Sequence, residues 1–156
     1  MTLKYKHILV AVDGSHEAQL AFKKSIGIAE RNHAGLNLVY VVDPRSYTAI
    51  KIHEPLIEQD IFTYGNELLD KYKTYAQNAG IENVNTFVTL GSPKKIIARD
   101  VAKRVEADLI ICGASGINAF DRLMLGSVSQ HIVRSSSCDV LVVRLDVDDE
   151  PHEEIK

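Results

Sequence analysis

Two cysteines in 156 residues, with no CxxC pair, leave nothing from which to build a disulfide framework. Cys112 ends one apolar run and Cys138 precedes another, so both read as buried thiols acting as small hydrophobes. The six histidines show no HxxxH or HExxH pairing, and no metal cage is assigned to them. No apolar run approaches the ~18–20 residues needed to span a bilayer, so no membrane segment is expected. Met1 to His7 carries two lysines without a signal-type apolar region behind them, which points to a reducing, cytoplasmic setting. Basic charge is also scarce. The net charge is −3, but six acids and one lysine fall in the last eleven residues, leaving +2 on the other 145. A near-neutral body lacks the basic stripe of a nucleic-acid binder.

Several phosphate and nucleophile motifs are missing as well. There is no GxxxxGK[ST] and no GxGxxG after the first apolar run. The hydrolase elbow GxSxG fails because Gly113-Ala114-Ser115-Gly116 places the second glycine one residue early. A triad of Ser115, His131 and Asp13 can be drawn, but nothing in the spacing requires it.

What is present is 46% hydrophobic residues in a chain long enough for one core. Residues 1–145 are expected to form that domain, and 146–156 a solvated, disordered acidic tail. Five apolar runs stand out: 7–12, 36–42, 84–90, 109–112 and 140–143. Continuous apolarity implies burial on both faces, the mark of a parallel sheet. The third run alternates and reads as an edge strand. Helical patterns lie between the runs. Ser15 caps the first helix, with Ala18, Ala21, Phe22, Ile26 and Ala29 inward and Gly35 just past its end. A second helix is predicted over 59–79, with Ile61, Tyr64, Leu68, Tyr72, Tyr75 and Ala79 on one stripe. Ser92-Pro93 opens a third, with Ile97, Val101 and Val105 inward. The last begins at Gly126-Ser127 and carries Val128, Ile132 and Val133. This β-α alternation predicts an open α/β sheet of five parallel strands with helices on both faces. Residues 43–58 form a long connection that reads equally as a lid or as disorder.

In such sheets ligands bind beyond the carboxyl ends of the strands, where strand order reverses. The loop after strand one, Val12-Asp13-Gly14-Ser15, and the loop after strand four meet there. Gly113 and Gly116 permit close backbone approach. At Gly126 the chain enters a helix whose first amides, with the hydroxyls of Ser127 and Ser129, form an anion site suited to phosphate.

Gly113-x-x-Gly116, nine residues, then Gly126-Ser127 resembles the nucleotide motif of the universal stress protein family. HILVAVDGS (7–15), YVVDP (40–44) and GSVSQHIVRSSSCDVLVVR (126–144) resemble its other landmarks, so the likeness runs over about 5–144. The resemblance implies strand order 3-2-1-4-5, in the manner of the adenine nucleotide alpha hydrolases, and ATP or another adenine nucleotide as ligand. It implies binding positions at Ala11, Val12, Asp13, Val41, Cys112, Gly113, Ala114, Gly116, Gly126, Ser127, Val128 and Ser129. Among these, Asp13 would lie at the ribose and phosphates and Val41 against adenine, while 126–129 would hold phosphates. Mg²⁺ often accompanies the phosphates, with Asp13 as its candidate ligand. Ser115 stands where relatives often carry a basic residue, and Asp139 where proline is common. The resemblance also implies a homodimer through Val140–Val143, whose exposed edge a twin would cover. The expected role is a stress-response regulator, not an enzyme, with slow ATP hydrolysis at most. A nucleotide-free interaction module and a weak nucleotide phosphohydrolase are the alternatives.

Overall fold

Each apolar run becomes a strand because the sheet is covered on both sides. In the computed structural model, residues 3–46, 56–115, 125–145 and 154–156 are described. The strands are β1 (His7–Ala11), β2 (Gly35–Val42), β3 (Val84–Leu90), β4 (Leu109–Gly113) and β5 (Asp139–Val143). All pair in parallel, in the order β3-β2-β1-β4-β5. The alternating third run is indeed an edge.

Successive side chains point to opposite faces of a strand. Ile8 and Val10 of β1 therefore join one core layer with Leu36, Leu38 and Ile111, while Leu9 joins the other with Val39, Ile110 and Cys112. Helices α1 (His16–Asn32) and α2 (Leu56–Asn78) cover the first layer. The second is covered by α3, over 93–104, and α4 (Ser127–Ser135). At the centre of the first layer Phe22 is fully buried and stacks on Tyr72, ring centroids 4.5 Å apart. Burying such a ring contributes roughly 1.5–3 kcal/mol, and the ring pair about 0.5–1.5 more.

The inward faces of three helices differ in detail from the sequence pattern. In α2 the buried positions are Gly65, Leu69, Tyr72 and Ala76, while Tyr64 and Tyr75 are 51% and 41% exposed and Ala79 is exposed. The cause is the Tyr40 ring. A β-carbon on Gly65 would sit 2.6 Å from it, so α2 turns its glycine toward β2 and leaves Tyr64 edge-on to Tyr40. In α3 the stretch Ile96–Val101 is π-helical. The wider turn brings Ile96, Ile97, Ala98 and Val101 all into the core, a broader face than the 97/101/105 spacing, with Val105 packed at its margin. In α4, Ser129 and Ile132 face inward, and Val133, about 100° further round, is half exposed. The left-handed stop of α1 is His33 (φ 54°), two residues before Gly35 opens β2.

After β2 the chain makes one 3₁₀ turn, Pro44–Ser46, where Arg45 grips Asp43 through its backbone N–H (2.9 Å) and its guanidinium (3.0 Å). That pairing holds the Asp43 carboxyl below its ordinary range. Residues 47–55, the middle of the expected lid, lie outside the described residues, as does 146–153 of the acidic tail. At the end of that tail Ile155 is 9% exposed, packed into the α1–α2 layer with its N–H 3.5 Å from the buried Gln19 Oε1. Among the described residues no helix is long and apolar enough to cross a membrane.

Candidate functional site

β1 and β4 are neighbours, yet the chain leaves them toward opposite faces of the sheet, α1 after β1 and α4 after β4. Backbone beyond their carboxyl ends therefore diverges and leaves a crevice. A cavity of about 330 Å³ occupies it, within the usual range for small-molecule sites.

One wall follows β1. Asp13 accepts a hydrogen bond from the Ser15 N–H (2.9 Å), and Ser15 Oγ in turn accepts the Ala18 N–H (3.2 Å), starting α1. Between them Gly14 takes φ +84°, and a β-carbon there would meet the Tyr64 hydroxyl at 2.7 Å. The positive φ is what calls for glycine here, since the half-exposed Tyr64 could swing aside. Burial pushes the Asp13 carboxyl up; hydrogen bonds from Ser15 oppose this, and the Glu17 charge adds to it.

The floor is apolar. Ala11, Val41 and Cys112 come from three adjacent strands, and Ile97 and Ile132 rise from α3 and α4. Burial, with the charge of Asp13, pushes the Cys112 thiol up to about 12, so it stays protonated and behaves as a hydrophobe.

The opposite wall is the loop after β4. A β-carbon on Gly113 would lie 3.0 Å from Glu17 Cβ and 3.1 Å from the Ala18 nitrogen, so glycine lets the start of α1 rest on the end of β4. Ala114 is tied on both sides. Its N–H donates to Val143 O (2.8 Å), and its carbonyl accepts from the Gly126 N–H (2.7 Å) and the Ser129 hydroxyl (2.8 Å). Ser115 follows, its N–H and Oγ–H both donating to Glu17 Oε2, at 2.6 and 2.7 Å. Gly126 caps α4 in extended conformation, and the exposed Ser127 begins the helix at the cavity.

Ten of the twelve expected positions thus line one cavity. Ala114 does not: it is buried and acts as the tie between β5 and α4. Gly116 lies outside the described residues. Ser129 lines the cavity, but its hydroxyl shares its proton between Ala114 O and Gly126 O (3.0 Å), leaving Ser127 as the hydroxyl of the pair not engaged among the described residues. The sequence reading missed Ala18, Pro93, Ile97, Ser115 and Ile132 as wall residues. Pro93 and Ile97 carried a signal, since the start of α3 follows β3 at the same sheet end; the Ser115–Glu17 pair, 98 residues apart, carried none.

For a divalent cation the fit is partial. Among the described residues no three His, Cys, Asp or Glu side chains gather as a metal cage. Asp13 offers one carboxylate, which suits Mg²⁺ held mostly by a ligand's phosphates and water.

Fold and crevice together define a doubly wound α/β protein with a pocket at its switch point. The description of the universal stress protein family matches residues 4–144, and the chain belongs to that family. A protein of Staphylococcus saprophyticus named as a universal stress protein is 50% identical over 142 residues, covering 91% of this chain and 85% of its own. Among solved structures, universal stress protein UspA from Lactobacillus plantarum is 31% identical with a TM-score of 0.79, covering 92% of this chain and all of its own. A universal stress protein described in complex with cAMP is 25% identical, TM-score 0.67, covering 90% and 98%.

Proposed function

We propose that this universal stress protein is a regulatory protein that binds an adenine nucleotide in the β1–β4 crevice. The observation that carries this reading is the convergence of an apolar slot with a helix N-terminus. Ala11, Val41, Ile97 and Ile132 provide flat apolar contact for a purine, and the first turn of α4 beyond Gly126 offers backbone amides and the Ser127 hydroxyl to a phosphate. The relative in complex with cAMP supports the same ligand class here. Asp13 also lines the cavity, and its carboxylate is the group we assign to a ribose or a phosphate-bound Mg²⁺. Two chains pair along β5, whose outer edge no other described strand covers. Hydrolysis is at most slow, because no described lysine or arginine lines the cavity as a clamp for charge developing on a phosphoryl group.

Native mass spectrometry of the purified chain, before and after Mg²⁺-ATP, AMP and cAMP, tests the reading. The expected spectrum gains one nucleotide mass per chain. Gly113→Val, which drives a branched side chain into α1, should abolish that gain. A spectrum that stays empty in millimolar nucleotide rejects the proposal.

A further inference from the structure

Resting on that reading, the geometry points to Glu17 as a charge selector of the nucleotide site, one that biases it toward ligands bearing few phosphates. Ser115 offers two donors beside the cavity, a backbone N–H and a hydroxyl. In a phosphate-binding loop both would turn to the ligand. Here one oxygen, Glu17 Oε2, takes both, at 2.6 and 2.7 Å. The chain thus supplies its own anion where an incoming phosphate would find its donors.

The arrangement is held from both ends. On the Ser115 side, the two carbonyl bonds and one amide bond of Ala114 fix the loop. On the Glu17 side, α1 sits so close to Gly113 that a single added carbon would collide. The charge of Glu17 is also felt at Asp13, which lines the cavity. One carboxylate, Asp13, therefore lines the site and a second, Glu17, lies directly behind the lining residue Ser115, while the described lining holds no cationic side chain. A purine and ribose in the apolar slot are indifferent to this field. Each added phosphate is opposed by it, unless a divalent cation intervenes or Glu17 swings away.

Glu17→Gln separates charge from shape. The amide oxygen can still accept from Ser115, so the loop keeps its tie while one negative charge is lost. Dissociation constants for adenosine, AMP, ADP and ATP are measured by calorimetry on wild type and variant, without divalent metal and at fixed low salt. The expected result is a ladder: the ratio of the adenosine constant to the ATP constant rises at least tenfold in Glu17→Gln, about 1.4 kcal/mol, with AMP and ADP between. Saturating Mg²⁺ should flatten the ladder. Thermal melts of both proteins check that the variant folds. If it does not, Ser115→Ala, which removes one of the two bonds and loosens Glu17, should raise the same ratio in the same direction. Binding with an unchanged or falling ratio overturns the role of Glu17 alone. Failure of wild type and variants to bind any of the four overturns the nucleotide reading, and this assignment with it.

Discussion

Asp13 is held in the cavity wall, in a place that resists its charge. Its carboxyl is pushed up chiefly by burial, with Glu17 adding to it, and the Ser15 hydrogen bonds only partly offset this. A raised folded-state pKa has a definite sign. Above it, the folded chain carries a carboxylate that is better solvated in the unfolded chain, so ionisation subtracts from stability. As pH falls through the raised value, the folded chain takes up its proton first and the penalty lapses. Asp13→Asn keeps an acceptor for the Ser15 N–H and removes the charge. We expect it to raise the urea midpoint at neutral pH, with the gain shrinking as pH falls through the raised value and gone below the ordinary carboxylate range. A gain that is flat with pH, or a loss at neutrality, would show that burial of this charge is not what shifts it.

Two helical glycines allow the elements to be tested against each other. Gly65 of α2 rides over Tyr40, where a β-carbon would fall 2.6 Å from the ring. Gly65→Ala should cost about 1–3 kcal/mol as α2 is pushed from the sheet. Gly27 of α1 faces only the flexible tip of Arg31, 3.3 Å away. Gly27→Ala should therefore stabilise by roughly 0.5–1 kcal/mol through helix propensity alone. Urea denaturation of both decides; a gain in both would mean that the α2–sheet contact is looser than described, and a loss in both that Gly27 is more confined than its one neighbour suggests. The same pair marks what a sequence can disclose. Caps and strand runs, such as Ser15 with Ala18 or Leu109–Cys112, are legible because their causes lie within a few residues. The face of α2 is set by Tyr40, in another element, so the predicted stripe was right at Tyr72 and Leu68 but also took in Tyr64 and Tyr75, which stay largely exposed. Most of the site was legible because it gathers where strand order reverses. Glu17 was not, since its partner lies 98 residues on and only the packing of α1 on β4 unites them.

For the molecule as a whole, the proposed pairing of two chains rests on β5, which no other described strand covers on its outer side. Leu141 is 36% exposed on a strand whose other side pairs with β4, and Tyr5 Oη donates to Asp139 Oδ2 (2.8 Å) at its start. Sedimentation at micromolar concentration should give twice the chain mass, and Leu141→Asp should shift it toward the monomer. A wild-type monomer removes the dimer; a Leu141→Asp dimer moves the interface elsewhere.

The strand order has one more consequence, for the time during which the chain is being made. β1 is central, yet of its two neighbours only β2 emerges soon after it. Ile8 waits for Leu109 to complete its other side. At about 5–20 residues per second, the ribosome leaves that half of the central strand bare for roughly 5–20 seconds. Through that interval the nascent chain displays an apolar edge, His7–Ala11, open to any strand that arrives before its own. The protein's first exposure to misassembly thus comes at birth, before the crevice that defines its chemistry exists.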